Sequence, residues 1–125
     1  MHLRIRLMTK VLFIGYPKCS TCKKAYQALQ DLGVDCTYRD ITKENPTEEE
    51  ITSWVNRGVP LAKLFNSSGQ LYRQMNGKER RKTDSQEQLI AWLASDGMLV
   101  KRPIVIRDDQ IIVGNKLSEY KSLLK

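Results

Sequence analysis

The chain has 125 residues, of which 41% are hydrophobic and 28% are charged, and this suits one globular domain, residues 1–125, with a single core. No apolar stretch is long enough to span a membrane and no secretory signal precedes Met8, a second candidate start, so we expect a cytoplasmic protein. The net charge of 21 − 14 = +7 favours an oxyanion or an acidic protein surface as partner. The densest basic run, Lys78–Lys82, has no interleaved aromatic residues, so we predict a solvated loop and no direct contact with nucleic acid.

Two cysteines, Cys19 and Cys22, stand between a predicted strand and a predicted helix. The strand is Lys10–Gly15, a short β-branched and aromatic run, and the helix is Ser20–Leu32, whose apolar residues recur at helical spacing. A C-x-x-C pair at such a junction is typical of redox chemistry, because a helix N-terminus offers unpaired N–H groups and a positive partial charge that favour a thiolate. The second thiol lies within reach to resolve a mixed disulfide or a sulfenic acid.

The residues around this pair favour redox chemistry over two alternatives. Lys18, Lys23 and Lys24 bring cations that lower the pKa of a nearby cysteine. Ordinary buried cysteines are one alternative and a zinc site is the other, but structural zinc needs four ligands and only Cys36 and His2 remain to complete a set. We therefore expect no metal and no bound cofactor. Cys36 is interpreted as a core residue, with a redox role as the alternative.

A second strand, Cys36–Ile41, follows the first helix, and residues 45–97 are predicted to form a mainly helical insert. Capping boxes at Thr47–Glu50 and Ser85–Gln88 begin two helices within this insert, each followed by apolar residues at helical spacing. Between them, Asn66–Gly69 has the composition of a turn. The insert is thus an addition to a small α/β domain.

The chain ends in a predicted β-hairpin and a helix. Ile104–Ile106 and Ile111–Val113 flank a turn at Asp108 and Asp109. The order β-α-β, helical insert, β-β-α predicts the α/β class with a thioredoxin-like topology, in which the insert separates the second and third strands. The final helix is predicted to bury one apolar face, made of Leu117, Tyr120, Leu123 and Leu124.

Several motifs resemble the arsenate reductase (ArsC) family, which includes the Spx and MgsR regulators. The likeness extends from about residue 10 to the C-terminus. Within the family, the chain looks most similar to short members that are commonly labelled arsenate-reductase-related. The resemblance implies a thioredoxin-like domain with a helical insert, in agreement with the predicted order of elements. The motifs are Tyr16–Cys22, Leu64–Gly69 with Leu71–Arg73, Ala94–Ile104, and Val113-Gly114.

The resemblance also implies roles for individual residues. Cys19 matches the family's nucleophilic cysteine, and Cys22 matches the internal resolving thiol of Spx-like members. Arg102 matches an arginine that faces the cysteine and binds oxyanions, and Pro103 matches a proline beside the active site that is cis in the family. Lys18 is expected to add electrostatic help to Cys19.

The chain departs from the Cys-only arsenate reductases at the anion site. Those enzymes use three arginines, whereas Asn66 and either Asn115 or Lys116 stand at two of the positions here, and Arg102 is the one clearly kept. Bidentate guanidinium contacts suit the strong charge of arsenate better than an amide does. We therefore expect arsenate to be a poor substrate.

Two functions follow from these residues. The first is a cytoplasmic thiol-disulfide oxidoreductase in which Cys19 attacks a disulfide, a peroxide or a small oxyanion such as arsenate, with thioredoxin or a glutathione/glutaredoxin system as reductant. The second is an Spx-type redox-sensing regulator, in which the Cys19–Cys22 disulfide controls contact with RNA polymerase. The chain ends soon after its last predicted helix, without the longer basic tail of Spx, which favours the enzyme. A family member that kept the fold and lost the activity is a third alternative.

Overall fold

The structure, a computed structural model, describes residues 11–124. Three sequence features therefore lie outside the described residues: Lys10 as the first residue of the predicted strand, Met8 as a start, and His2 as a potential ligand. The chain divides into two compact units. The described part of the first unit is residues 11–39 and 103–124, and the second unit is Asp40–Arg102. The expectation of one domain with an insert over residues 45–97 stays a prediction.

A four-stranded sheet forms the centre of the first unit. Its strands are β1 (Val11–Gly15), β2 (Cys36–Asp40), β3 (Ile104–Arg107) and β4 (Gln110–Val113), in the spatial order β2-β1-β3-β4. β1 pairs antiparallel with β3, and β3 pairs antiparallel with β4. The hairpin turns at Asp108, whose positive φ of 55° is a conformation that aspartate tolerates better than most residues.

Helix α1 (Ser20–Asp31) packs on this sheet through one apolar stripe. Leu32 caps its C-terminus, and Gly33 follows with a φ of 79°, as expected for a glycine just past a helix end. The core of the unit is a single cluster in which strand and helix residues interdigitate. Its buried members are Val11, Phe13, Cys22, Ala25, Leu29, Val105, Ile112, Tyr120 and Leu123.

The second unit is mainly helical. It contains α2 (Glu48–Asn56), α3 (Gln70–Gln74), α4 (Gly77–Thr83) and α5 (Gln86–Ser95), with short 3-10 turns at Leu61–Leu64 and Gly97–Leu99. Both predicted capping boxes are formed. The Thr47 and Ser85 hydroxyls each accept the backbone N–H three residues on, while Glu50 and Gln88 accept the cap's own N–H in return.

The basic run is helical rather than the predicted solvated loop. Lys78–Lys82 lies within α4, which follows Asn76 in a left-handed conformation with a φ of 55°. Arg80 stabilises this helix from its side, because its guanidinium lies 4.0 Å from the Trp92 ring centroid and its Nε donates to Asp84 at 3.0 Å. These contacts come from α5 and the α4 C-terminus, which a local pattern of charges does not reveal.

The chain closes with a short helix, α6 (Leu117–Tyr120), followed by a 3-10 turn, Lys121–Leu124. Tyr120 and Leu123 are buried as predicted. Leu117 is 47% exposed, so the prediction that it lies on the buried apolar face is wrong. Leu117 is the first residue of this single-turn helix, and apolar spacing alone does not decide whether a neighbouring element covers it. The order β-α-β, helices, β-β-α confirms the predicted α/β, thioredoxin-like class.

Candidate active site

Cys19 lies at the junction of β1 and α1, where a tight turn delivers it to the helix N-terminus. Its backbone N–H donates to the Tyr16 carbonyl at 2.9 Å, and Pro17 takes the position of this turn that favours proline. Cys19 itself has extended backbone angles, φ −88° and ψ 121°, and is the N-cap of α1. The residue is partly exposed, and it packs against the edge of the first unit's core.

Cys22 lies one helical turn further on and is 0% exposed. Its Sγ accepts a hydrogen bond from the backbone N–H of Tyr16 at 3.4 Å, and its neighbours in the core include Ala25 and Leu29. The two cysteines are present as thiols and differ in access, with Cys19 outside and Cys22 inside. The roles of Cys19 as nucleophile and of Cys22 as resolving thiol stay predictions.

The charges around the pair are positive. Lys18, Lys23 and Lys24 are exposed, and the first turn of α1 carries no acidic residue. Cations and a helix N-terminus both favour a thiolate over a thiol. The sequence therefore predicted the local surroundings of Cys19, since every one of these residues is within five positions of it.

Cys36 differs from the pair in its electrostatics. It begins β2 and packs at the edge of the first unit's core. Burial and the neighbouring Asp35 carboxylate raise the pKa of its thiol to about 11. A thiol with that pKa is almost entirely protonated near neutral pH, which makes Cys36 a poor nucleophile.

Tyr120 is a buried polar residue that sequence reasoning treated only as apolar. Its hydroxyl donates to the Gly114 carbonyl at 3.2 Å. Burial first, and then the nearby Cys22 and Cys36, raise its pKa to about 12. Tyr120 is therefore a neutral hydrogen-bond donor beside Cys22 and Cys36, and its hydroxyl bonds a carbonyl six positions earlier in the chain.

A shallow groove of about 470 Å³ opens beside the C-x-x-C turn. Its walls include the rings of Tyr26 and Tyr38, which pack on Phe13 with centroids 5.1–5.2 Å away. Gly15 permits this packing, because a Cβ there would lie 2.6 Å from the Phe13 ring. Sequence reasoning missed this groove, since its residues come from α1 and from β2. It is lined by Pro17, Lys23, Tyr26, Gln27 and Tyr38.

Pro103 is buried in the first unit, and its carbonyl accepts the Gly114 N–H at 2.7 Å. Arg102, directly before it in the chain, is the last residue of the second unit, and its Nη1 donates to the Val100 carbonyl at 3.4 Å. The expected position of Arg102 opposite Cys19 stays a prediction, as do the roles of Lys18 and Pro103.

Asn66, which stands where arsenate reductases have an arginine, is engaged within the second unit. Its backbone N–H donates to the Leu99 carbonyl at 2.8 Å, and its side-chain amide donates to the Met98 carbonyl at 3.3 Å. Its own carbonyl accepts the Gly69 N–H at 3.0 Å, which closes the predicted turn. Asn66 thus holds the turn together, and its amide contacts backbone rather than presenting a donor fork.

The comparison with known proteins agrees with this fold. The ArsC family model matches residues 14–123, which include both thiols, the Tyr16–Cys19 turn and Arg102. The chain belongs to the ArsC family.

ArsC-family relatives cover nearly the whole chain. YusI, an uncharacterized protein of Bacillus subtilis (strain 168), is 37% identical over 110 residues, across 87% of this chain and 93% of YusI. The regulatory protein MgsR of the same bacterium is 24% identical over 119 residues, across 93% of this chain and 91% of MgsR. A crystal structure of an ArsC-family-related protein from Bacteroides fragilis has a TM-score of 0.87 at 41% identity, covering 91% of this chain and 97% of that chain.

Residues 11–124 contain neither a membrane-spanning helix nor a cluster of metal ligands. Within that range, the longest apolar helices fall short of what is needed to cross a bilayer. The same residues contain no group of three or more His, Cys, Asp or Glu side chains arranged to hold a metal ion.

Proposed function

We propose that this ArsC-family protein is a cytoplasmic thiol-disulfide oxidoreductase that uses Cys19 and Cys22 as its redox pair. The observation that carries the proposal is the contrast between the two thiols in one turn: Cys19 is partly exposed at the N-cap, and Cys22 is buried behind it. A substrate disulfide meets Cys19 first, and the adduct then lies next to its resolving thiol. The cytoplasm keeps such a pair reduced and ready to react.

The reaction proceeds in two exchanges. The Cys19 thiolate attacks one sulfur of the substrate disulfide, the substrate S–S bond breaks, and the departing thiolate takes a proton from solvent. Cys22 then loses its proton and attacks the Cys19 sulfur, which releases the second substrate thiol and leaves a Cys19–Cys22 disulfide. The substrate gains two electrons and the protein loses two. Thioredoxin, or glutathione with glutaredoxin, returns these electrons and restores the dithiol.

The groove beside the turn supports a disulfide as the preferred substrate. Its aromatic walls, Tyr26 and Tyr38, suit the apolar part of a substrate, and Lys23 suits a carboxylate. Arsenate or another small oxyanion is the further substrate that the family resemblance implies. For that reaction we assign Arg102 to the anion and Lys18 to the Cys19 thiolate, with Pro103 shaping the site. Because the Asn66 amide contacts the Met98 carbonyl, we expect weak arsenate turnover.

A redox-sensing regulator is the second candidate, and the likeness to the regulatory protein MgsR favours it. In that case the same Cys19–Cys22 disulfide acts as a switch, and its formation changes contact with RNA polymerase. Burial supports such a switch, because Cys22 is 0% exposed and has to move toward Cys19 when the bond forms. This function requires no turnover.

A coupled turnover assay separates the candidates. NADPH oxidation is followed through the thioredoxin system and through glutathione with glutaredoxin, with a model disulfide and then arsenate as substrate. Cys19→Ser is the matched control for background exchange. Turnover of the disulfide that is lost in Cys19→Ser supports the oxidoreductase, and Cys19-dependent turnover of arsenate adds the oxyanion reaction. A protein that oxidises to the disulfide yet turns over neither substrate, and that retains RNA polymerase in one redox state alone, is the regulator.

A further inference from the structure

A second groove, of about 560 Å³, lies in the helical unit and uses none of the cysteines. Helices α3 and α4 form its walls, and the Tyr72 side chain, which is 5% exposed, lies at its base. Its volume falls in the range of pockets that take a drug-sized ligand or a short stretch of peptide. The proposed thiol and oxyanion reactions do not use this groove.

The charges that line this groove are unbalanced. Arg73, Lys78 and Arg81 all line it, and none of the three has a carboxylate partner among residues 11–124. Glu79 also lines it, but Lys82 lies 3.8 Å from its carboxylate and offsets that charge. The net result is a concave surface with an excess of positive charge, which attracts anions.

Arg81 is held in place before any ligand arrives. Its Nη1 donates to the Tyr72 hydroxyl oxygen at 3.4 Å, and its guanidinium lies 5.7 Å from the Phe65 ring centroid. A donor fork that is already ordered loses less entropy when it binds a carboxylate than a mobile one does. The Tyr72 hydroxyl accepts from Arg81, and its own proton has no acceptor within residues 11–124, so it is available to a ligand in the groove.

The same geometry argues against nucleic acid. The Tyr72 ring is stacked on Trp92 at 5.9 Å and packs on Phe65 at 5.8 Å. Gly77 covers it as well, because a Cβ on Gly77 would lie 2.4 Å from ring carbons. No face of Tyr72 is left open for a base to stack on, whereas single-stranded nucleic acid uses such platforms. A carboxylate needs no stacking surface, because the guanidinium, ammonium and hydroxyl groups that line the groove are enough to bind it.

We propose that the groove of Tyr72, Arg73, Lys78 and Arg81 binds carboxylate side chains in an acidic segment of a partner protein. Charge complementarity selects this occupant: a carboxylate meets the Arg81 fork and the Tyr72 hydroxyl, and neighbouring acidic residues meet Arg73 and Lys78. The site belongs to the second unit, so the proposal stands independently of the thiol chemistry.

The test is fluorescence anisotropy with a fluorescein-labelled Glu-rich peptide, and with a Lys-rich peptide of the same length. We expect the Glu-rich peptide alone to bind, with an affinity that falls as salt rises. Replacing Arg73, Lys78 and Arg81 by Gln together should weaken binding about tenfold or more, since three exposed charge pairs are lost and each contributes up to about fivefold in affinity. Tyr72→Phe, which keeps every charge, should weaken it a few-fold.

A matched variant separates the groove from net charge. Lys43, Lys63 and Lys121 are exposed residues outside the groove, and replacing all three by Gln removes the same number of charges. We expect this control to bind the Glu-rich peptide as the parent chain does, with thermal melts showing that all variants fold. Equal weakening by both triple variants would overturn the proposal. So would groove-dependent binding of an unstructured oligonucleotide or an anionic vesicle in place of the peptide.

Discussion

The backbone N–H of Tyr16 donates to the Sγ of Cys22 at 3.4 Å. The carbonyl of the same residue accepts the N–H of Cys19 at 2.9 Å. Tyr16 therefore fixes the inner sulfur and the backbone of the outer cysteine with one peptide segment. In the proposed second exchange, the Tyr16 N–H would stabilise the negative charge on the Cys22 sulfur as it attacks.

The order of the two exchanges gives the first prediction. Cys19→Ser should abolish disulfide turnover, because it removes the accessible nucleophile. Cys22→Ser should accumulate a mixed disulfide between Cys19 and the substrate, because the buried resolving thiol is gone. Mass spectrometry of the non-reduced protein after one equivalent of substrate measures the adduct. Full turnover by Cys22→Ser would show that Cys22 is not the resolving thiol.

The thiol of Cys36 should react slowly with an alkylating agent. With a pKa of about 11, about one thiol in a thousand is ionised at pH 8, compared with about one in ten for an ordinary value of 9.0. In the Cys19→Ser, Cys22→Ser double variant, iodoacetamide labelling should therefore be slow at pH 8 and rise up to about pH 11. Asp35→Asn is the control, and it should speed labelling at pH 8 by removing the repelling charge. Rapid labelling of the parent double variant at pH 8 would contradict the raised pKa.

Tyr120→Phe should lower the free energy of unfolding by about 1 kcal/mol at neutral pH, because the Gly114 carbonyl loses one of its two donors and keeps the Lys116 N–H. The pKa of Tyr120 is raised to about 12, so its contribution is complete below its unfolded value of about 10. As pH rises from about 10 to about 12, the unfolded chain releases a proton that the folded chain retains, and stability falls. Urea unfolding across this window should show the difference between parent and variant shrinking. A difference that stays constant would mean that Tyr120 titrates normally.

Gly97→Ala should destabilise the second unit by about 3 kcal/mol. A Cβ at this position would lie 2.1 Å from the Ile41 carbonyl oxygen and 2.9 Å from its carbon, and backbone atoms cannot move aside as a side chain can. Gly33→Ala is the matched control. Its Cβ would enter open space, so its left-handed φ of 79° is the one source of cost, about 1 kcal/mol. Equal melting temperatures for the two variants would show that the Gly97 contact relaxes.

Ser85→Ala tests how much the capping box contributes to the stability of α5, the helix that contains Trp92. The Ser85 hydroxyl accepts the Gln88 backbone N–H at 3.1 Å, and the Gln88 side-chain oxygen accepts the Ser85 backbone N–H at 2.8 Å. Removing the hydroxyl should cost about 1 kcal/mol in the free energy of unfolding. Ser68→Ala, an exposed turn residue, should cost much less, and a comparable loss there would show that the cap is not the cause.

The features that the sequence predicted well are local. The capping boxes at Thr47 and Ser85 are formed as expected, because each depends on residues within a few positions of one another. The surroundings of Cys19 were predictable for the same reason. Its turn, its helix and the three lysines all lie within one short stretch of chain.

The features that sequence reasoning missed depend on tertiary contacts. Helix α4 is polar on nearly every side, and Arg80 stabilises it through Trp92, twelve residues further along. The groove beside the C-x-x-C turn joins Tyr26 of α1 to Tyr38 of β2. Apolar periodicity does not report any of these, because each depends on which elements meet in space.

The central strand pair has a consequence for how the chain folds. Ile14 of β1 pairs with Ile104 of β3, and these residues are 104 − 14 = 90 positions apart. Closing so long a loop costs chain entropy before the strand pairing can stabilise the structure. Contacts between residues far apart in sequence therefore slow folding. During synthesis β1 can pair with β2, its neighbour on the other side, well before β3 emerges. The C-x-x-C turn that follows β1 therefore gains its complete sheet only after the whole helical unit, Asp40–Arg102, has been made.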